Sequence, residues 1–133
     1  MTVTTFIFDV DGTLADTERD GHRVAFNKAF KAAGLDWDWS VELYGELLAV
    51  TGGKERIRFY LEKFNTAFAK PDDFDGFVAG LHASKTEFYT DLLATGAIPL
   101  RSGVKRLMAE SRAAGMRLAI ATTTTPANVT ALL

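Results

Sequence analysis

The stretch VTTFIFDVDGTL (residues 3–14) decides the fold class of this chain. Residues Val3 to Val10 are rich in β-branched and aromatic types and alternate little between polar and apolar. This pattern is typical of a short strand that is buried on both faces of a parallel sheet. Asp11-Gly12 then ends the strand with a turn. We therefore predict an α/β fold with a Rossmann-like parallel-sheet core.

Two carboxylates, those of Asp9 and Asp11, stand where this strand ends. In an extended segment residues i and i+2 point to the same side, so both carboxylates can face one reacting group. Open α/β sheets bind their ligands outside the carboxyl ends of the strands. Thr13 can fix the turn or offer its hydroxyl to a phosphate oxygen. From these residues alone, the pair is equally compatible with a metal site or with the capping of a turn.

A second apolar strand, Arg117 to Ala121, ends in a similar way at Thr122. Thr125-Pro126 then opens a helix. A hydroxyl beside the free amides of a helix N-terminus forms an anion site. Taken alone, Thr122 is also explained as a strand terminus, and Thr125 as a helix N-cap.

Apolar residues at helical spacing predict a bundle of four helices between these strands. The first is expected from about Thr17 to Gly34, the second after Ser40, the third up to Pro71, and the fourth after Asp72 or Asp73. We therefore divide the chain into three parts: core 1–15, helical insertion 16–95 and core 96–133.

Composition excludes several functional classes. The chain has no cysteine, which rules out disulfides, thiolate zinc sites and a cysteine nucleophile. Its net charge of -2 lacks the basic excess that nucleic-acid binding requires. The N-terminus has neither a basic segment nor a long apolar run, so we expect no signal peptide, no membrane span and a cytoplasmic location.

The two motifs together resemble those of the haloacid dehalogenase superfamily. Asp9 to Thr13 matches the Asp-x-Asp-Gly-Thr motif of that family, and Thr122 matches its second motif. The helical insertion is similar to the C1 cap of the phosphoglucomutase and phosphoglycolate-phosphatase branch. Asp16-Thr17-Glu18, residues 51–56 and residues 121–124 further resemble CbbY-type sugar-phosphate phosphatases.

The resemblance implies a role for each motif residue. Asp9 is the nucleophile that forms an aspartyl phosphate, and Asp11 is the general acid and base. Mg²⁺ binds at Asp9 and Asp11, the latter also through its backbone carbonyl, while Thr122 and Thr123 bind phosphoryl oxygens. Because dehalogenases and phosphonatases of the family lack the second aspartate, Asp11 points to a phosphomonoester substrate.

In the cap, the resemblance suggests that Thr17, Glu18, Gly53, Lys54 and Arg56 contact substrate. Glycine lets backbone approach a ligand, and a cationic side chain can bind a second phosphate. The alternative is a simple turn followed by a solvated basic helix face.

Two further motifs of the family, a lysine and an acidic pair, normally follow the second motif. Residues 123–133 contain no charged residue. We therefore expect a truncated chain, or one that a second chain completes. The predicted substrate is a small phosphorylated sugar, such as a ketopentose bisphosphate. A phosphomutase of the same superfamily and a non-catalytic fragment that needs a partner remain the alternatives.

Overall fold

The computed structural model describes all 133 residues and divides them into two compact units. The core unit comprises residues 1–21 and 92–133, and the cap unit comprises residues 22–91. The cap unit lies within the helical insertion that the sequence predicts over residues 16–95. None of the helices is long and apolar enough to cross a membrane.

The core unit contains a two-stranded parallel sheet. Strand β1, Thr5–Phe8, pairs with β2, Arg117–Ile120, with Phe8 opposite Ile120. The predicted burial of β1 on both faces is wrong, because Ile7 is 67% exposed. Successive side chains of a strand point to opposite faces, so the face of β1 that carries Ile7 is open to solvent at that position.

In chain order, one helix of the core unit precedes β2 and another follows it. Helix α5, Val104–Ala113, begins after Gly103, whose φ of 85° is readily reached only without a Cβ. Helix α6, Pro126–Leu132, follows Thr125, whose hydroxyl accepts a hydrogen bond from the Asn128 amide. This cap and the proline at the first turn confirm the predicted helix start.

The cap unit consists of four helices, as predicted. Their bounds are α1 Arg23–Ala32, preceded by a π-helical turn at Glu18–His22, then α2 Val41–Leu47, α3 Gly53–Lys63 and α4 Phe74–Ala94, whose last residues belong to the core unit. Ser40 accepts the Leu43 amide at 3.1 Å, and Asp73 accepts the Gly76 amide at 3.0 Å. These are the N-caps that the sequence predicted for α2 and α4.

Helix α3 is shorter than predicted. It ends at Lys63 rather than near Pro71, because the Tyr60 carbonyl accepts the amides of both Phe64 and Asn65 and closes the last turn. Phe68 lies in the following loop, and its ring packs edge-on against Trp37 at 4.9 Å. A loop residue therefore continued the apolar period of the helix.

Aromatic side chains form most of the core of the cap unit. Among them, Phe26, Phe30, Trp39 and Tyr44 pack together and are each at most 2% exposed. Trp39 lies 4.8 Å from both phenylalanine rings between centroids. Burial of such a side chain contributes about 1.5–3 kcal/mol, so these rings dominate the stability of this unit.

Candidate active site

The two sequence motifs meet at one edge of the sheet. Phe8 and Ile120 are paired at the carboxyl ends of their strands, and the Ala121 amide donates to the Phe8 carbonyl at 2.9 Å. Asp9 comes directly after Phe8, and Thr122 is the second residue after Ile120. Because neighbouring strands lie about 4.8 Å apart, the pairing brings the aspartate and the threonine to the same edge of the sheet, with Thr122 one residue beyond the position level with Asp9.

Asp9 presents its carboxylate to solvent. The residue is exposed, and the Thr13 hydroxyl donates to its Oδ2 at 3.3 Å. A tight turn brings Thr13 back, because the amides of Thr13 and Leu14 both donate to the Val10 carbonyl. Gly12 has a φ of 75°, a conformation in which a side chain would be strained. The turn therefore holds one carboxylate oxygen and leaves Oδ1 accessible.

Asp11 is tied to the end of the same loop. The Thr17 hydroxyl donates to Asp11 Oδ1, and Thr17 is completely buried. An oxygen of Glu18 lies within 4.8 Å of an Asp11 oxygen. Thr17 and Glu18, which were predicted to contact substrate from the cap, thus lie in the core unit beside the first motif. A group of carboxylate oxygens fits a hard divalent cation such as Mg²⁺.

A third segment, which the sequence analysis missed, holds this loop in place. The Arg101 amide donates to the Leu14 carbonyl at 2.7 Å, and Arg101 Nη1 donates to the Gly12 carbonyl at 3.2 Å. The guanidinium also lies 3.8 Å from Asp16 Oδ1. Arg101 is a single polar residue in a predicted loop, so no periodicity or motif in the sequence signals its contacts.

Thr122 belongs to a small hydrogen-bond network. The Thr124 amide donates to Thr122 Oγ1 at 3.1 Å, and the Asn128 side-chain amide donates to Thr124 Oγ1 at 2.9 Å. While Thr122 Oγ1 accepts this hydrogen bond, its own proton remains available for donation to a ligand oxygen. Thr123 beside it is exposed. Asn128, which is 7% exposed, was not identified from the sequence.

The predicted cap residues lie at the start of α3. Gly53 is the first residue of the helix, and Lys54 is exposed. A Cβ on Gly53 would lie only 2.4 Å from Cδ2 of His82, so the backbone of Gly53 packs directly against the His82 ring. Burial lowers the pKa of His82 below its ordinary 6.5, and the charges of Lys85 and Lys54 lower it further.

The Arg56 side chain is buried and hydrogen-bonded within the cap unit. It is 9% exposed, and its Nε, Nη1 and Nη2 donate to the Leu47 carbonyl, the Tyr44 hydroxyl and the Val50 carbonyl. Its guanidinium also lies 5.4 Å from the centre of the Tyr44 ring. These contacts join α3 to the end of α2. We therefore assign Arg56 to the support of this loop, where the sequence suggested a contact with substrate.

Known proteins share both the sequence and the fold of this chain. Residues 3–133 match the haloacid dehalogenase-like hydrolase family. The CbbY protein (plasmid) of Cupriavidus necator is 51% identical over 127 residues, which make up 96% of this chain and 50% of that protein. The chain therefore spans about half the length of the curated relatives it matches.

Two solved structures show the same relation. CbbY from Rhodobacter sphaeroides in complex with phosphate is 48% identical, with a TM-score of 0.83 over 98% of this chain and 56% of that one. A mutant of that CbbY in complex with xylulose-(1,5)bisphosphate has the same TM-score at 47% identity. These matches confirm the resemblance inferred from the two motifs: the chain belongs to the haloacid dehalogenase-like hydrolase family.

Proposed function

We propose that the protein is a Mg²⁺-dependent phosphatase that hydrolyses a small phosphorylated sugar through an aspartyl phosphate on Asp9. The observation that carries this proposal is the parallel pairing of β1 with β2, since Asp9 and Thr122 both follow the carboxyl ends of these two strands. A nucleophile and a phosphate-binding hydroxyl at the same edge of the sheet support this reaction, because phosphoryl transfer needs both near the phosphate.

Asp9 performs the first step. Thr13 occupies Oδ2, so the accessible Oδ1 attacks phosphorus in line with the bond to the sugar oxygen. A bond forms between Asp9 and phosphorus, and the bond between phosphorus and the sugar oxygen breaks. A water molecule later attacks the aspartyl phosphate and releases inorganic phosphate.

Asp11 moves the proton in both steps. In its protonated form it donates to the leaving sugar oxygen, and as a carboxylate it then takes a proton from the attacking water. General acid–base catalysis of this kind accelerates a reaction about 10² to 10⁴-fold. The hydrogen bond from Thr17 fixes the Asp11 carboxyl group near the strand end. That contact supports a proton-transfer role, because the Asp11 carboxyl group must keep its orientation toward the sugar oxygen and the water throughout the reaction.

The residues present also fit a divalent cation. Asp9 and Asp11 would hold Mg²⁺, and the metal when bound offsets the repulsion between the Asp9 carboxylate and the anionic phosphate. Thr122 and Thr123 donate hydrogen bonds to the transferring phosphoryl oxygens, with the Thr122 hydroxyl oriented by the Thr124 amide.

The cap supports a substrate with a second phosphate. Lys54 is exposed at the beginning of α3, where backbone amides without intrahelical partners favour an anion. A relative of this chain has been solved in complex with xylulose-(1,5)bisphosphate. We therefore propose a ketopentose bisphosphate as the substrate, with Gly53 and Lys54 near its second phosphate.

Release of phosphate from a panel of sugar mono- and bisphosphates with Mg²⁺ tests this function. Asp9→Asn should lower the rate by about 10³-fold or more, because an amide is not a nucleophile. Asp91→Asn, at an exposed aspartate of α4, is the matched control and should leave the rate unchanged. Equal rates for the two variants would rule out Asp9 as the nucleophile, and isomerisation without release would indicate a mutase.

Binding provides a second readout that does not require turnover by this chain. Inorganic phosphate with Mg²⁺ should shift the amide NMR signals of Thr122 and Thr123, and Asp9→Asn should alter the Mg²⁺ dependence of that shift. If the two amides do not respond to phosphate at millimolar concentration, the proposed phosphate site is wrong.

A further inference from the structure

Arg101 contacts the loop that follows the nucleophile at two separate points. Its Nη1 donates to the Gly12 carbonyl at 3.2 Å, and its Nε lies 3.8 Å from Asp16 Oδ1. Its backbone amide donates to the Leu14 carbonyl, and the preceding Leu100 forms an antiparallel bridge with Ala15. One segment far along the chain thus supports the loop from Gly12 to Asp16.

The two side-chain contacts have a particular relation to Asp11. Gly12 is the residue after Asp11, and Asp16 is the residue before Thr17. Asp11 and Thr17 are themselves joined by a hydrogen bond between side chains. The guanidinium therefore connects Gly12 with Asp16. Because these residues are next to Asp11 and Thr17, the connection restrains the distance between Asp11 and Thr17.

The exposure of Arg101 indicates that stability is not its main contribution. The side chains of Arg101 and Asp16 are 52% and 50% exposed. Exposed ion pairs contribute only about 0–1 kcal/mol. The backbone bonds to Leu14 and Ala15 would also remain if the side chain were shortened. The guanidinium therefore chiefly restricts the position of the loop.

We propose that Arg101 is a positioning residue that holds the Asp11 carboxyl group in its reactive orientation. It does so by fixing both ends of the loop across which Thr17 reaches Asp11. This inference rests on the proposed function in assigning proton transfer to Asp11, whereas the restraint on the Asp11 side chain can be measured without any turnover.

Arg101→Gln tests the restraint, with Arg106→Gln as the matched control. Arg106 is also an exposed arginine of the core unit with one carboxylate nearby, Glu110 at 3.6 Å. The Hα–Hβ couplings of Asp11 should indicate one rotamer in the wild type and in Arg106→Gln, and rotamer averaging in Arg101→Gln. Hydrogen exchange of the Gly12 amide should become about tenfold faster in Arg101→Gln only.

Two results would overturn the proposal. One is an Asp11 rotamer that stays fixed in Arg101→Gln. The other is exchange that accelerates as much in α5 as in the loop, which indicates general loss of stability. A lysine in place of Arg101 keeps the charge but loses the two-point contact, so Arg101→Lys should give an intermediate result.

Turnover adds an independent readout. Arg101→Gln should lower kcat about tenfold and change KM less than twofold, because a misplaced acid affects the transition state and not substrate binding. A raised KM with unchanged kcat would contradict the positioning role. Failure of the proposed function would instead appear as phosphate release that Asp9→Asn does not change, regardless of the rotamer of Asp11.

Discussion

Gly53→Ala should destabilise the cap unit, although alanine normally favours a helix. Gly53 is the first residue of α3, and its backbone faces the side chain of His82. An added Cβ would lie 2.4 Å from His82 Cδ2, 2.5 Å from His82 Nε2 and 3.4 Å from Phe26 Cζ. Carbon atoms in contact are ordinarily about 3.5–4.0 Å apart, so the His82 ring must move by roughly 1 Å or more.

The two opposing contributions have different sizes. Replacing glycine by alanine inside a helix stabilises by about 0.5–1 kcal/mol, and by less at the first position. Overpacking a close contact costs about 1–3 kcal/mol. Phe26 is fully buried and cannot yield, whereas His82 is half-buried and can rotate toward solvent. The net loss in the free energy of unfolding should therefore be about 1–2 kcal/mol.

Urea denaturation followed by circular dichroism measures this change. Gly80→Ala is the matched control, since it lies inside α4 and its Cβ would meet nothing within 4 Å. It should raise the free energy of unfolding by about 0.5–1 kcal/mol. In Gly53→Ala combined with His82→Ala the clash is gone, so the two substitutions should be non-additive by about 1 kcal/mol.

An unfolding midpoint that rises in Gly53→Ala, as it should in Gly80→Ala, would refute the predicted clash. Simple additivity in the double variant would refute it as well, because the loss of stability would then have no connection with the His82 ring.

Three other predictions follow from the contacts described. Arg56→Met should lower the free energy of unfolding by about 2–4 kcal/mol because the Leu47 carbonyl, the Tyr44 hydroxyl and the Val50 carbonyl each lose the hydrogen bond from the guanidinium. Arg58→Gln, at an exposed ion pair, should change it by less than about 1 kcal/mol in urea denaturation. The pKa of His82 is lowered in the folded state, so the stability that its neutral form contributes is complete above pH 6.5 and is lost as pH falls through the folded-state pKa. His82→Gln should therefore remove this part of the pH dependence of the free energy of unfolding. An unchanged slope of unfolding free energy against pH would refute the prediction. Thr122→Val should lower kcat for phosphate release about 10² to 10³-fold without changing the melting temperature by more than a few degrees, in contrast to Thr130→Val, whose hydroxyl bonds only within α6 and which should keep full activity.

The sequence predicted the parts of the fold that depend on local chemistry. Ser40, Asp73 and Thr125 are short polar residues before apolar periods, and all three cap the helices they were expected to cap. The parallel pairing of β1 with β2 follows from two apolar strands separated by helices. The predicted extent of α3 was wrong because Phe68, a loop residue, has the sequence spacing expected of the next apolar residue of the helix.

The sequence offers candidate site residues where a motif carries them and none where distant residues meet. Asp9, Asp11 and Thr122 lie within recognisable strand-end motifs. Arg101 reaches Gly12 across 89 positions of sequence, and no local pattern signals such a contact. Arg56 is a different case: a basic residue after two glycines suggested anion binding, whereas its guanidinium donates to the backbone carbonyls of Leu47 and Val50.

The aromatic core of the cap unit also determines which part of the protein can be followed by ultraviolet absorbance and intrinsic fluorescence. The chain has two tryptophans and three tyrosines, and Trp37, Trp39, Tyr44, Tyr60 and Tyr89 all belong to the cap unit. The core unit therefore contributes almost nothing to absorbance near 280 nm or to intrinsic fluorescence. A shift in emission during unfolding follows the cap alone, so comparison with a backbone signal would reveal whether the two units unfold together.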